Sequence, residues 1–325
     1  MVNAVTDIDV VQHKGFTPRK FPARWHDAAY ALHCQAWPTA WEGQLSRERF
    51  IAELECDHVD VLYQANGNNG ALLAYVKWKA TARFRVSRDQ LSDPVLPSLP
   101  TTPPGGYVCA YEITATADPT WRGLGRRLLT ETISGWERTH PAAVFCTYSP
   151  KRKLTSVLRR LAEARQFDQP ALTLFTHRAG AAAARHIDDW LNRLGQPLDA
   201  FIRQEIIPIP DDRIMPHLAE LGGRYGRDVI DGVTAALGLA YNFVLQARSG
   251  QLACGPAAFH RALGAEHWRQ YPASATNCAD ALGLVDHWRY SHDPARREQC
   301  AQLFKQQRAA RAQQTADLDQ LIVLA

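Results

Sequence analysis

The chain has 325 residues, 46% hydrophobic and 22% charged, with 37 basic and 33 acidic side chains and a formal net charge of +4. This is too apolar for a disordered chain and too evenly charged for a dedicated nucleic-acid binder, and it lacks the unbroken apolar run of roughly 18 residues that a membrane span needs. A first stretch without the basic-then-apolar order of a signal peptide, and seven cysteines with no C-x-x-C pair, indicate a cytoplasmic protein with neither zinc ribbon nor disulfide scaffold.

Residues 1–20 read as a flexible leader. From Arg24 to Glu53 apolar side chains recur at helical spacing: Ala28, Leu32, Ala36 and Trp37 in a first helix, then Phe50, Ile51 and Leu54 in a second opened by Ser46-x-x-Arg49. Asp60–Gln64 reads as a strand, Asn66–Gly70 as a turn and Ala71–Trp78 as its hairpin partner. Five prolines between residues 93 and 106 rule out a central strand and mark a candidate lid or substrate-facing loop.

Tyr107–Thr116 is β-rich, and Gly123–Arg138 is an amphipathic helix with Leu124, Leu128, Leu129 and Ile133 on one side. Val144–Tyr148 is a short buried strand, and Leu154–Ala164 a basic amphipathic helix. Strand, glycine turn, helix, strand, helix is an α/β crossover. Residues 181–250 read as mainly helical; Ala257–Gly264, Val285–Tyr290 and a Gln/Ala-rich final helix complete the chain. With no internal repeat and no clean linker, residues 21–325 read as one composite domain with halves at 21–178 and 179–325.

Trp121-Arg122-Gly123-Leu124-Gly125-Arg126 lies between a predicted strand and a predicted helix. Two glycines there allow a tight turn that exposes N–H groups at the positive end of the helix dipole, and the arginines add charge that pairs with phosphate oxygens. The third glycine of a dinucleotide fingerprint and the G-K-[ST] of a Walker loop are absent. The alternative is two glycines that only shape a turn. Lys151-Arg152-Lys153 reads equally as a further phosphate contact or a solvated basic turn.

The segment resembles the pyrophosphate-binding loop of the GNAT acyltransferase superfamily, with Thr120 in place of the usual Gln or Arg. The resemblance implies that residues 121–126 hold the pyrophosphate of coenzyme A, Trp121 either facing the CoA arm or covering the loop. Tyr111-Glu112-Ile113-Thr114 and Val144-Phe145-Cys146-Thr147-Tyr148-Ser149-Pro150 resemble segments of the malonyl-CoA decarboxylases. In that family the serine lies in the active site, which places Ser149 there; the family's I-P-G-F continuation is replaced by Lys151-Arg152-Lys153-Leu154.

Pro256–Ala265 (PAAFHRALGA) resembles the family's N-P-x-x-x-F-H-x-x-N-G-A, in which the histidine is catalytic. His260 takes that position, Leu263 replaces the family Asn, and one residue is missing after Pro256. Trp268-Arg269 and Val285–Tyr290 (VDHWRY) resemble the W-R and N-Y-R-Y segments, and Tyr290 falls on a site-lining tyrosine. A related F-H-x-x-x-G-A occurs in the GNAT-like domains of polyketide synthase loading modules. Their proline-following arginine would fall near Ala275, so the decarboxylases are the nearer resemblance. On the residues alone a His beside Phe, a Ser before Pro and a Tyr after bulky neighbours read as readily as core positions. The ordered set, over about residues 105–305, implies the site.

The resemblance implies an α/β, GNAT-like acyl-CoA-binding fold with a largely helical insertion and C-terminal extension. In place of the family's helical N-terminal domain, residues 20–90 look like the opening of an ordinary acyltransferase. The implied activity is decarboxylation of malonyl-CoA, with His260, Ser149 and Tyr290 catalytic and Trp121, Arg122, Gly123, Leu124, Gly125 and Arg126 binding the cofactor portion. His260, near a neutral pKa, would donate to the enolate and then supply a proton. The alternatives are acyl transfer to an amine or to a carrier-protein thiol supplied in trans, with His260 as base, and a non-catalytic CoA-binding module. The coenzyme A thioester is substrate, and no tightly bound cofactor is implied. His267, His287 and His292 lack metal-ligand spacing, so no metal site is expected.

Overall fold

The helix-forming segments begin where local chemistry dictates. Ser46 is extended, and its Oγ accepts from the Arg49 N–H at 3.2 Å, capping α2 (Arg47–Cys56). Helix α1 (His26–Ala36) precedes it, and both place aromatic and aliphatic side chains on the sheet. Phe21, Trp25, Leu32, Phe50, Leu54, Val59, Val61 and Tyr75 form that core. The computed structural model describes residues 11–65, 70–85, 87–151, 153–163, 189, 192–235, 237–238, 255–271 and 278–322.

The chain divides into two compact units, one of Met1–Pro38, Gln44–Arg85 and Gln90–Thr147, the other of Thr39–Gly43, Val86–Asp89 and Tyr148–Ala325. The first orders its strands β1 (Val11–Phe16), β2 (His58–Gln64), β3 (Ala71–Thr81), β4 (Tyr107–Ala115) and β5 (Val144–Pro150), the last continuing into the second unit. Neighbours are antiparallel except β4 and β5, which run parallel as a crossover requires. The β2–β3 pairing is the expected hairpin; its turn, residues 66–69, lies outside the described residues.

Strand β1 falls inside the stretch read as a leader. It is an edge strand with four exposed central residues, so it lacks the apolar alternation that would have marked it. The proline-rich segment forms no strand and is tied to β3: Lys79 Nζ donates to the Asp93 and Leu96 carbonyls at 2.6 and 2.7 Å, and Ser98 Oγ accepts from the Ala80 N–H. Helix α3 (Leu124–Thr139) buries Leu124, Leu128, Leu129, Ile133 and Trp136, with Trp136 edge-on to Trp78.

Toward α1 and α2, β3 presents Tyr75, Lys77 and Lys79. Lys77 is wholly buried between Glu53 and Glu112, 2.9 Å from the latter, while Glu112 also accepts from Tyr75 and lies 2.7 Å from His33 Nδ1. Lys79 pairs with Asp57 at 3.2 Å. A register shift at Lys77/Trp78 in the β3–β4 ladder accompanies this cluster.

The second unit orders the end of β5, β7 (Val285–Tyr290) and β6 (Glu266–Tyr271), the last two antiparallel. Its helices include α4 (Leu154–Glu163), α5 (Ile214–Tyr225), α6 (Gly255–Ala262) and α7 (Pro294–Ile322). Within 181–250, Leu198–Phe201, Ile202–Ile206 and α5 are helical, while 181–188, 190–191, 236 and 239–250 lie outside the described residues. Gly264 joins α6 to β6 at φ +83°, and a Cβ there would stand 2.1 Å from the Arg297 carbonyl oxygen of α7. The glycine of the F-H-x-x-x-G-A match is therefore required by backbone conformation and close helix approach alike.

Candidate active site

Alternation along β7 builds the site in the second unit. Asp286, Trp288 and Tyr290 share one face of the strand, and each holds a side chain from another element. Tyr290 OH lies 2.8 Å from His260 Nδ1, which α6 supplies. Trp288 Nε1–H donates to Ser149 Oγ, at the end of β5, at 2.6 Å. The Trp288 ring also lies nearly parallel to the His260 ring, with centroids 6.0 Å apart and an interplanar angle of 22°. Ser149, His260 and Tyr290 are thus gathered around Trp288, each no more than 3% exposed.

Asp286 completes the row. Its Oδ2 accepts from Lys151 Nζ at 2.5 Å, and its Oδ1 lies 3.1 Å from His267 Nε2 on β6. Burial pushes the Asp286 carboxyl up, but Lys151 and then His267 outweigh it and hold the group below the usual carboxylate range. Lys151 is fully buried, and its N–H donates to the Leu284 carbonyl. The expectation that it reaches a phosphate or sits in a solvated turn is corrected: the departure from the family pattern after Pro150 places a cation inside the fold. Lys153 adopts φ +63°, and its N–H donates to Asp280 Oδ2.

The expectation of a near-neutral pKa for His260 is corrected too. Burial lowers it to about 3, against a smaller upward pull from Asp286. The imidazole is therefore neutral at physiological pH, with one ring N–H to give and one lone pair to accept.

The glycine turn lies in the first unit. Asp118 Oδ1 accepts from the Thr120 N–H at 2.9 Å, and Pro119–Trp121 forms a 3₁₀ turn. Gly123 then caps α3 at φ +97°, with nothing within 4 Å of a Cβ. Leu124 is buried as the helix's first inward residue, Gly125 and Trp121 are half-buried, and Arg122 and Arg126 are exposed. Arg127 is engaged elsewhere, by Glu131 and the Val11 carbonyl.

No protein-family model matches the sequence, and no curated protein matches it. Among solved structures it superposes on the malonyl-CoA decarboxylases of Cupriavidus metallidurans and Agrobacterium vitis, each with a TM-score of 0.53 and 15% identity over 90% of this chain. For the enzyme of Rhodopseudomonas palustris the values are 0.52 and 16% over 91%. The chain has the fold of the malonyl-CoA decarboxylases. It spans 59–64% of the length of those three chains. With that fold comes the expected mixed α/β architecture.

Within this fold, four neighbours of the expected residues are not among the site residues expected from the sequence: Trp288, Asp286, Lys151 and His267. Trp288 and Asp286 lie in the Val285–Tyr290 segment, Lys151 in the basic run after Pro150, and His267 among the histidines read for metal-ligand spacing. Reading Val285–Tyr290 as a strand would have put Asp286, Trp288 and Tyr290 on one face. Lys151 carried no such signal, because a lysine after Ser-Pro reads as surface. Among the described residues no group of three or more His, Cys, Asp or Glu is arranged to hold a metal ion, and no helix is long and apolar enough to cross a membrane.

Proposed function

We propose that the protein decarboxylates a malonyl thioester of coenzyme A to the acetyl thioester and CO₂. The observation that carries this reading is the gathering of Ser149, His260 and Tyr290 around Trp288, in a chain with the fold of three malonyl-CoA decarboxylases.

When the bond to the carboxylate breaks, its electron pair passes to the thioester carbonyl, CO₂ leaves, and an enolate remains to be protonated at carbon. Stabilising charge on that oxygen is the demanding part, and buried donors fixed in advance do it best. The Ser149 hydroxyl and backbone N–H groups near the end of β5 serve the oxygen. A neutral His260 that accepts from Tyr290 at Nδ1 carries its proton on Nε2. It passes that proton to the carbon while Nδ1 takes the Tyr290 proton; Nδ1 then returns that proton to the phenolate as solvent reprotonates Nε2. Residues 121–126 are read as holding the coenzyme's pyrophosphate, with Arg122 and Arg126 as charged partners.

Acyl transfer in the same fold would ask His260 to act as a general base. Incubation with malonyl-CoA alone should yield acetyl-CoA by mass and CO₂ in equal amounts, and His260→Ala should slow this by about a hundredfold or more. Equal rates for the two proteins would remove His260 from the chemistry. Free CoA released from acetyl-CoA only when an amine or carrier thiol is added would establish transfer instead, and binding without turnover would establish a module.

A further inference from the structure

We propose that Trp288 is a positioning residue that commits the Ser149 hydroxyl to donate toward the oxygen of a bound acyl thioester. The identity of that oxygen rests on the decarboxylase reading; the commitment itself follows from the bond between the two side chains. An indole N–H has no lone pair with which to accept, so in the 2.6 Å contact Ser149 Oγ is the acceptor. The hydroxyl proton is thereby directed away from Trp288. A serine that can rotate freely presents lone pairs or proton to a ligand at random; one already accepting from a fixed indole is preset as a donor.

The indole is itself held. Its ring packs with His260 on one side and with His267 at 5.1 Å on another, and Trp288 is 3% exposed. Its strand neighbours two residues either way, Asp286 and Tyr290, are anchored by Lys151 and His260. One side chain therefore touches both the hydroxyl and the imidazole of the site, and any rotation of it would disturb the two together. A donor preset in this way meets the charge that develops on the oxygen without reorganising as the reaction proceeds.

The test removes the N–H and keeps the ring. In Trp288→Phe, kcat for CO₂ release from malonyl-CoA is expected to fall about tenfold, with KM changed by less than about twofold. In a Ser149→Ala background the same substitution should lower kcat no further, because the residue it acts through is gone. Losses that multiply, or an unchanged kcat in a folded Trp288→Phe protein, overturn the inference. Should Trp288→Phe not fold, benzothienylalanine placed at position 288 replaces the N–H by sulfur in an indole-shaped ring, and the same outcomes apply. Should the wild type release no CO₂, the decarboxylase reading falls and calorimetric titration with acetyl-CoA decides. Equal, non-additive losses of affinity in Trp288→Phe and Ser149→Ala keep the positioning role; binding that neither substitution alters, or no binding at all, removes it.

Discussion

His260 is neutral because it is buried, and this has a measurable consequence for stability. Its folded pKa of about 3 lies below the ordinary 6.5, so the unfolded chain binds the proton more readily. The stabilisation is fully present above about pH 6.5 and is lost as pH falls from there through about 3. Urea unfolding of wild type and His260→Gln between pH 7 and pH 4 should show it. The wild type's stability relative to the variant is expected to fall with acid, by at most about 1.4 kcal/mol per pH unit. A constant difference across that range would mean the histidine is solvated. At this scale the sequence was informative about which residues gather, because Ser149, His260 and Tyr290 each sat in a motif. It was silent about their electrostatics, since burial depends on contacts far along the chain.

Among the elements, the α6–β6 joint is the most exacting. Gly264 combines a left-handed backbone with the close approach of the Arg297 carbonyl, and it sits four residues beyond His260. Gly264→Ala must strain the backbone and push α6 from α7, so a loss of about 3 kcal/mol in unfolding free energy is expected by chemical denaturation. A loss below about 1 kcal/mol would show that the joint yields. Helices α1 to α4 were legible because apolar spacing and capping are local signals. Strand β1, with its polar edge, and β6, with a register shift between His267 and Arg269, gave little local signal to read. Their pairing is set by partners far away in sequence.

On the scale of the whole molecule, the first unit encloses a cluster of titratable side chains in its core. Lys77 is enclosed by Glu53 and Glu112, with Tyr75 and His33 on the second carboxylate. Breaking such a group leaves buried charge behind. Lys77→Met, close in volume, is expected to destabilise this unit by about 3–5 kcal/mol in urea unfolding, and a near-neutral result would show that the carboxylates tolerate losing the cation. The α/β class and the crossover were readable along the chain; this cluster was not, because its members are brought together only by strand pairing and helix packing.

Both the Tyr75–Lys77–Lys79 face of β3 and the Asp286–Trp288–Tyr290 face of β7 depend on counting residues in twos. For the gene, that makes length a harder constraint than identity. Many single substitutions along β7 would leave two of its three anchors in place. Deleting the Val285 codon would instead turn the side chains that follow to the opposite face, exchanging a carboxylate, an indole and a phenol for their neighbours in one step.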